Sequence, residues 1–441
     1  MFNQQRIKKS LGLRLTIIAG ISLLLLIPAQ MIQSLINERQ TRRDEAVKEI
    51  SQKWGDEQTI TGPILSLPFK EGPSIMYAHF LPDELIIDGS IDPEIRYRGL
   101  YEAALYNAKL SVKGKFKHSD FEKLLTIPED ILWSEAFISF GISDMKGIRE
   151  LIKIKWGEEE YVSDPSIKSN DILDSGISIK PALDKTGSTE EYEFSASIDL
   201  NGSSKLMFTP IGKITKVDIS STWQNPSFTG SFLPETRNIS SEGFDAEWKI
   251  LNLNRNYPQH WFGNQFKPAD SSFGVDLYFP VDEYQKTTRT AKYAIMFISL
   301  TFLTFFLMEL LNNKIIHPVQ YLLIGFALLV FYILLLSFSE HLLFKYAYLI
   351  ASIGIIALIT AYTRSVLKNT LLTIIIGGIL FILYGFLYIV LQLEDFAILI
   401  GSLGLFIILA IVMYLTRNID WFSIMTNERK PAGINTDGET S

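Results

Sequence analysis

Chemistry needs groups that bind a metal, carry a proton or attack an electrophile, and this 441-residue chain offers few of them. Its five histidines are His79, His118, His260, His317 and His341, and it has no cysteine. No histidine belongs to an HExxH pair, and no two are close enough in sequence to form a local metal site. The lack of cysteine removes thiolate nucleophiles, disulfides and Cys-ligated zinc or iron–sulfur sites. There is no Gly-rich phosphate loop, GxSxG elbow or SxxK pair. His79 lies in a strand pattern and His260 follows Pro258 in a loop, so both read as surface or locally bonded imidazoles. The expectation is a non-enzymatic protein with no catalytic residue, no cofactor and no resident metal.

Charge inside apolar sequence is the other place to look, because ionisable groups in hydrocarbon are costly and often functional. Glu309 is the one carboxylate well inside an apolar stretch. It reads either as a proton or ion site, or as a structural carboxylate that reaches the interface or pairs with Lys314. No second charge is evident at a matching depth. Ser339-Glu340-His341 forms a tight turn between two apolar segments, where Ser339 is expected to cap the following helix and Glu340 to favour its positive end. Glu309, Glu340 and His341 are therefore the candidate membrane polar site. His317-Pro318 opens an apolar segment with proline in its first turn, where the missing N–H costs nothing.

These residues are positioned by six apolar segments. The first, 15–36, follows Arg6, Lys8, Lys9 and Arg14 with no acidic residue before it. It reads as a retained anchor, with a cleaved signal peptide as the rival, although Ala29-Gln30-Met31 is a poor cleavage site. Five more lie near 293–311, 319–338, 342–362, 370–391 and 396–416, each close to the ~20 residues that cross a bilayer as a helix. They lack a polar face, which a helix in a soluble core would need.

Lys314, Arg364, Lys368, Arg417, Arg429 and Lys430 fall in alternate connections and the C-terminal tail. The opposite turns carry Glu340 and His341, then Glu394 and Asp395, and only Lys345 blurs the pattern. The excess of basic residues marks the cytoplasmic side. The organisation expected is a cytoplasmic tail at 1–14, a span at 15–36, a periplasmic β-rich domain at 37–290, a five-helix bundle at 291–416 and a cytoplasmic tail at 417–441. In the connecting stretch from Val281 to Tyr293, Tyr284 and Tyr293 suit the interface and Arg289 and Lys292 are placed to engage phosphates.

The region between the first two spans reads as strands. Phe244, Ala246, Trp248 and Ile250 alternate with Asp245, Glu247 and Lys249, and residues 104–113 and 191–200 follow the same period of two. Further strands are expected at Ile60–Phe69, Ser74–Leu81, Glu84–Ser90, Lys213–Trp223 and Gly274–Val281. Clean alternation favours antiparallel pairing, so the fold class is a membrane protein with a large, mainly antiparallel, sandwich-like β domain. Only short helices are expected there, such as Asp120–Leu125. This region holds 40 acidic and 29 basic residues, a balance that disfavours nucleic acid.

Several stretches resemble the CreD family of bacterial inner-membrane proteins. They are Trp54–Phe69 (WGDEQTITGPILSLPF), Arg98–Phe116, Trp223–Pro234, Gly274–Leu310, His317–Ser352 and the tail TRNIDWF at Thr416–Phe422. The likeness is colinear over nearly the whole chain and includes polar residues. It implies an inner-membrane protein tied to a two-component regulon and to envelope phenotypes, including tolerance to certain colicins. It implies no reaction, cofactor or catalytic residue. The leading expectation is an envelope-integrity protein whose exported β domain binds an envelope protein or lipid partner. The alternative is a transporter or lipid-handling protein that uses the helical bundle.

Overall fold

Alternating apolar residues become buried faces in two eight-stranded sheets. A computed structural model describes residues 11–120, 131–183, 189–277, 279, 283–312, 316–393 and 396–417. The chain divides into two compact units, Met1–Thr41 with Asp282–Ser441, and Arg42–Val281.

In the second unit, one sheet runs in the order Thr236–Ser240, Gly243–Leu251, Ile214–Ser221, Glu84–Arg98, Tyr101–Lys117, Glu191–Ser203, Lys153–Trp156 and Glu159–Val162. The other is built on Gln58–Glu71, which pairs with Ser74–Phe80, Phe137–Ile142 and Lys205–Phe208. Pairing is antiparallel except in two places: Gln58–Ile60 lies parallel to Leu206–Phe208, and Ile214–Ser221 lies parallel to Glu84–Ile91. In Gly243–Leu251, Phe244, Ala246, Trp248 and Ile250 are buried while Asp245, Glu247 and Lys249 are exposed. Both sheets feed one core. Trp248 of the first meets Phe273 of the second at 5.6 Å between ring centroids, in the sandwich arrangement expected for two half-buried faces.

The helical unit has six helices long and apolar enough to cross a membrane among the described residues. The first is made of α1 (Leu11–Leu24) and α2 (Leu26–Trp54), which run on into each other through Leu25 N–H to Ile21 O and Ala29 N–H to Leu25 O. A short helix α3 (Glu283–Lys292) precedes α4 (Ala294–Leu311), α5 (Pro318–Ser339), α6 (Phe344–Leu367), α7 (Thr370–Gln392) and α8 (Ala397–Thr416). Leu25, Ile36, Phe297, Phe331, Tyr348, Ile376 and Leu387 share one buried core. Helix α8 buries no residue, which lipid permits because its side chains are as apolar as acyl chains.

Three local expectations differ from what is observed. The helix does not stop near Ile36 but continues to Trp54, so helices beyond the spans are not all short. Residues 37–54 are rich in Glu, Gln, Arg and Lys, good helix formers, and Glu49 pairs with Lys53 one turn on. Ser339 does not cap the following helix. It ends α5, where its hydroxyl donates to Leu336 O at 2.9 Å, while α6 begins after Leu343 without a side-chain cap. Of the short helix expected at Asp120–Leu125, only Asp120 is among the described residues, at the end of a helical turn over 118–120.

Candidate functional site

The carboxylate singled out by sequence is buried and doubly bonded. Glu309 sits in the last turn of α4, 5% exposed. Its Oε1 accepts from Arg14 Nη1 at 2.8 Å and its Oε2 accepts from the Tyr321 hydroxyl at 3.1 Å. Tyr321, in the first turn of α5, is 1% exposed and packs edge-on against Phe302 at 5.4 Å. The second charge at matching depth therefore exists, contrary to expectation. Sequence concealed it because Arg14 belongs to the basic cluster before the first span and lies 295 residues away. The expected partner Lys314 lies outside the described residues.

Glu340 occupies the opposite end of the bundle. It follows α5 as the helix's C-cap and approaches Arg39 Nη1 at 3.8 Å, with the arginine 40% exposed. His341 is exposed in the same turn. Glu309 thus ends α4 beside the start of α5, and Glu340 closes α5 some 22 residues later. The three candidates do not form one site. What emerges is a pair of ties from the first helix, one at each end. Arg14 and Arg39 are 25 positions apart, about 37 Å along a helix and hence enough to bracket a ~30 Å hydrocarbon core. The Arg14–Glu309 tie is buried and hydrogen-bonded; the Arg39–Glu340 tie is long and solvated, a geometry worth little.

At the junction the sequence singled out, His317 Nδ1 accepts from Val319 N–H at 3.3 Å and Gln320 Oε1 accepts from His317 N–H at 2.9 Å. With Pro318 in the first turn this is a complete helix start.

The sheet unit contains a constellation that sequence did not reveal. Ser66 Oγ lies 2.8 Å from His79 Nδ1, and His79 Nε2 lies 3.1 Å from Asp171 Oδ2. Serine, histidine and aspartate in a row are the parts of a nucleophilic triad. Their setting is that of a structural latch. Ser66 and His79 are direct cross-strand partners, each 2% exposed, so the hydroxyl is shielded from solvent by the described residues. Burial lowers the His79 pKa below its ordinary value, and the hydrogen bond and charge of Asp171 only partly oppose this. A neutral ring therefore joins two strands to the loop that carries Asp171. No sequence signal could have picked Asp171, which lies 92 residues from His79.

A second buried polar knot surrounds Arg255, 7% exposed. Its guanidinium donates to Tyr257 O at 2.6 Å, Ile211 O at 3.2 Å and Gln259 Oε1, and lies 4.2 Å from the Tyr257 ring centroid. Burial lowers its pKa to about 10. Carbonyl oxygens meet the charge, as a buried guanidinium requires. Among the described residues, no group of three or more His, Asp or Glu side chains is placed to hold a metal ion.

Among the described residues, six membrane-length helices and a sixteen-strand, two-sheet unit inserted after the first of them define a multi-pass membrane protein with a large sheet domain. The profile of the family described as "Inner membrane protein CreD" matches residues 10–422. The chain is also 30% identical over 471 aligned residues to "Inner membrane protein CreD" of Escherichia coli (strain K12), covering 98% of this chain and 99% of that protein. The chain belongs to the CreD family of inner membrane proteins.

Proposed function

We propose that this CreD-family protein contributes to cell envelope integrity without catalysis, by presenting its sheet domain in the periplasm to an envelope partner. The basic residues at Arg6–Arg14, Arg364, Lys368 and Arg417 support an orientation with both termini in the cytoplasm. The absence of a recognisable reactive motif and the closed setting of Ser66 support the non-enzymatic reading.

One observation carries the partner reading. Thr236–Ser240 forms the edge of the eight-stranded sheet, all five residues exposed, and among the described residues it pairs on one side only. An open edge presents a row of unpaired N–H and C=O groups, and proteins blunt such edges with lysine or proline. This strand has neither, and its one charge is Arg237. It fits an extended segment of an envelope protein added as a ninth strand.

The test is a photo-crosslinking side chain at Ile239, which is 48% exposed, introduced into the full chain in living cells. A discrete adduct with an envelope protein, lost when Asn238→Pro blocks strand addition, is the expected result. Repeated absence of any adduct from Ile239 argues against the edge as the docking surface.

The transport alternative draws no support from Glu309, whose charge is met by Arg14 and whose second oxygen is met by Tyr321.

A further inference from the structure

Lys345 is the basic residue that disturbs the charge asymmetry of the connections, and the ion pairs described above do not use it. It is the second residue of α6, at the level where a spanning helix enters the membrane. It stands at the mouth of a groove of about 380 Å³ between α6 and α7. That volume lies in the ~300–1,000 Å³ range of small-ligand clefts.

The groove wall is apolar, with Ile353 and Phe381 lining it while 57% and 69% exposed. It is therefore open sideways to the acyl chains around the bundle. At Gly385, also in the lining, a Cβ would meet no heavy atom within 4 Å, so the space is real and not a gap that a neighbour closes. One lining residue, Tyr384, is buried at 2% exposure, yet its Oη lacks a hydrogen-bond partner among the described residues. Unmet polar atoms are expensive in hydrocarbon. The Lys345 ammonium lies 4.8 Å from the Tyr346 ring centroid, with no carboxylate among the described residues in ion-pair range.

We propose that this groove seats one acyl chain of a glycerophospholipid whose phosphate rests on Lys345. The apolar wall takes the chain, the ammonium takes the phosphate at interfacial depth, and an ester oxygen drawn in with the chain offers the buried Tyr384 hydroxyl an acceptor. A lysine beside a lipid-facing groove gains from a phosphate what it cannot gain from bare hydrocarbon. This concerns the helices alone and stands or falls apart from the partner reading of the sheet edge.

The experiment reconstitutes the full chain in nanodiscs of equal parts phosphatidylglycerol and phosphatidylethanolamine. The protein is then released into detergent, and retained lipid is read by native mass spectrometry. The wild type is expected to keep one phospholipid. Gly385→Leu fills the groove and Lys345→Glu repels the phosphate, so each lowers the retained fraction roughly tenfold. Lys345→Arg keeps the lipid. Gly385→Leu favours the helix by intrinsic propensity, which separates loss of lipid from loss of fold. Gly354→Leu is the control, since Gly354 is exposed on α6, faces open space and does not line the groove. Failure of the wild type to retain lipid overturns the proposal. So does retention by Gly385→Leu or Lys345→Glu equal to wild type, or a loss in Gly354→Leu as large as in Gly385→Leu, which would mark annular lipid only.

Discussion

Arg14 and Glu309 are 295 residues apart in the chain and 2.8 Å apart in space. A carboxylate and a guanidinium at that distance neutralise each other where either alone would be costly. Breaking such a pair is worse than replacing both members, because the survivor keeps its desolvation cost. Glu309→Gln should therefore lower stability by about 2 kcal/mol, less than a fully buried pair because Arg14 remains 23% exposed. Replacing both residues with methionine should recover most of the loss. Thermal melting of the purified variants in detergent measures both effects, and loss of the cellular phenotype in Glu309→Gln at normal abundance and stability would revive an ion pathway. His79 makes a different prediction. Its folded pKa is held below its ordinary 6.5 by burial, so the unfolded chain binds the extra proton first. Its contribution is flat above that value, falls as pH drops below it, and levels off once pH passes the folded pKa. Between about pH 7.5 and 5 the wild type should lose more stability than His79→Gln, by at most ~1.4 kcal/mol per pH unit. Equal losses in the two proteins would show that this imidazole is not the responsible group.

Helices and strands differ in how much of their placement a sequence carries. The Gly325 position illustrates what it hides: a Cβ there would meet Leu25 Cδ1 at 2.2 Å, so α5 comes close to the first helix only because a side chain is missing. Gly325→Val should loosen this contact by roughly 1–3 kcal/mol of overpacking, and Leu25→Ala in the same chain should relieve part of it. Detergent melting of the single and double variants gives the coupling directly, and simple additivity would mean the two side chains do not share the space. Periodicity, by contrast, was plain for Phe244–Ile250 and for the apolar segments, because an alternating face or a continuous apolar run has one cheap environment. The start of α5 was equally plain, since His317 and Pro318 act locally. The extension of the first helix to Trp54 was not, because its polar residues suit a helix without demanding one. The parallel pairing of Ile214–Ser221 with Glu84–Ile91 was also hidden, as it depends on which strands meet and not on their own pattern. The latch of Ser66, His79 and Asp171 and the pairing of Arg14 with Glu309 are long-range in the same sense.

At the scale of the whole molecule, charge and hydrophobicity divide along the same line. Residues 37–290 carry 40 acidic and 29 basic residues, whereas the remainder carries 8 acidic and 12 basic ones. The basic excess gathers at alternate helix ends, at Arg14, Arg364 and Arg417, while Glu340 marks an opposite end. Six spans with that alternation predict both termini on one side of the membrane and the sheet domain on the other. A chain without cysteine is well suited to testing this, since every introduced thiol is the sole one. Asn238→Cys, exposed on the edge strand, should react with a membrane-impermeant maleimide in intact spheroplasts. Ser365→Cys, exposed in the last turn of α6, should react only after the membrane is opened. Neither substitution touches the core, so both proteins should accumulate normally. The opposite labelling pattern would place the sheet domain in the cytoplasm and remove the basis for an envelope partner at its edge. Labelling of both sites from outside would instead break the even count of spans on which the orientation depends.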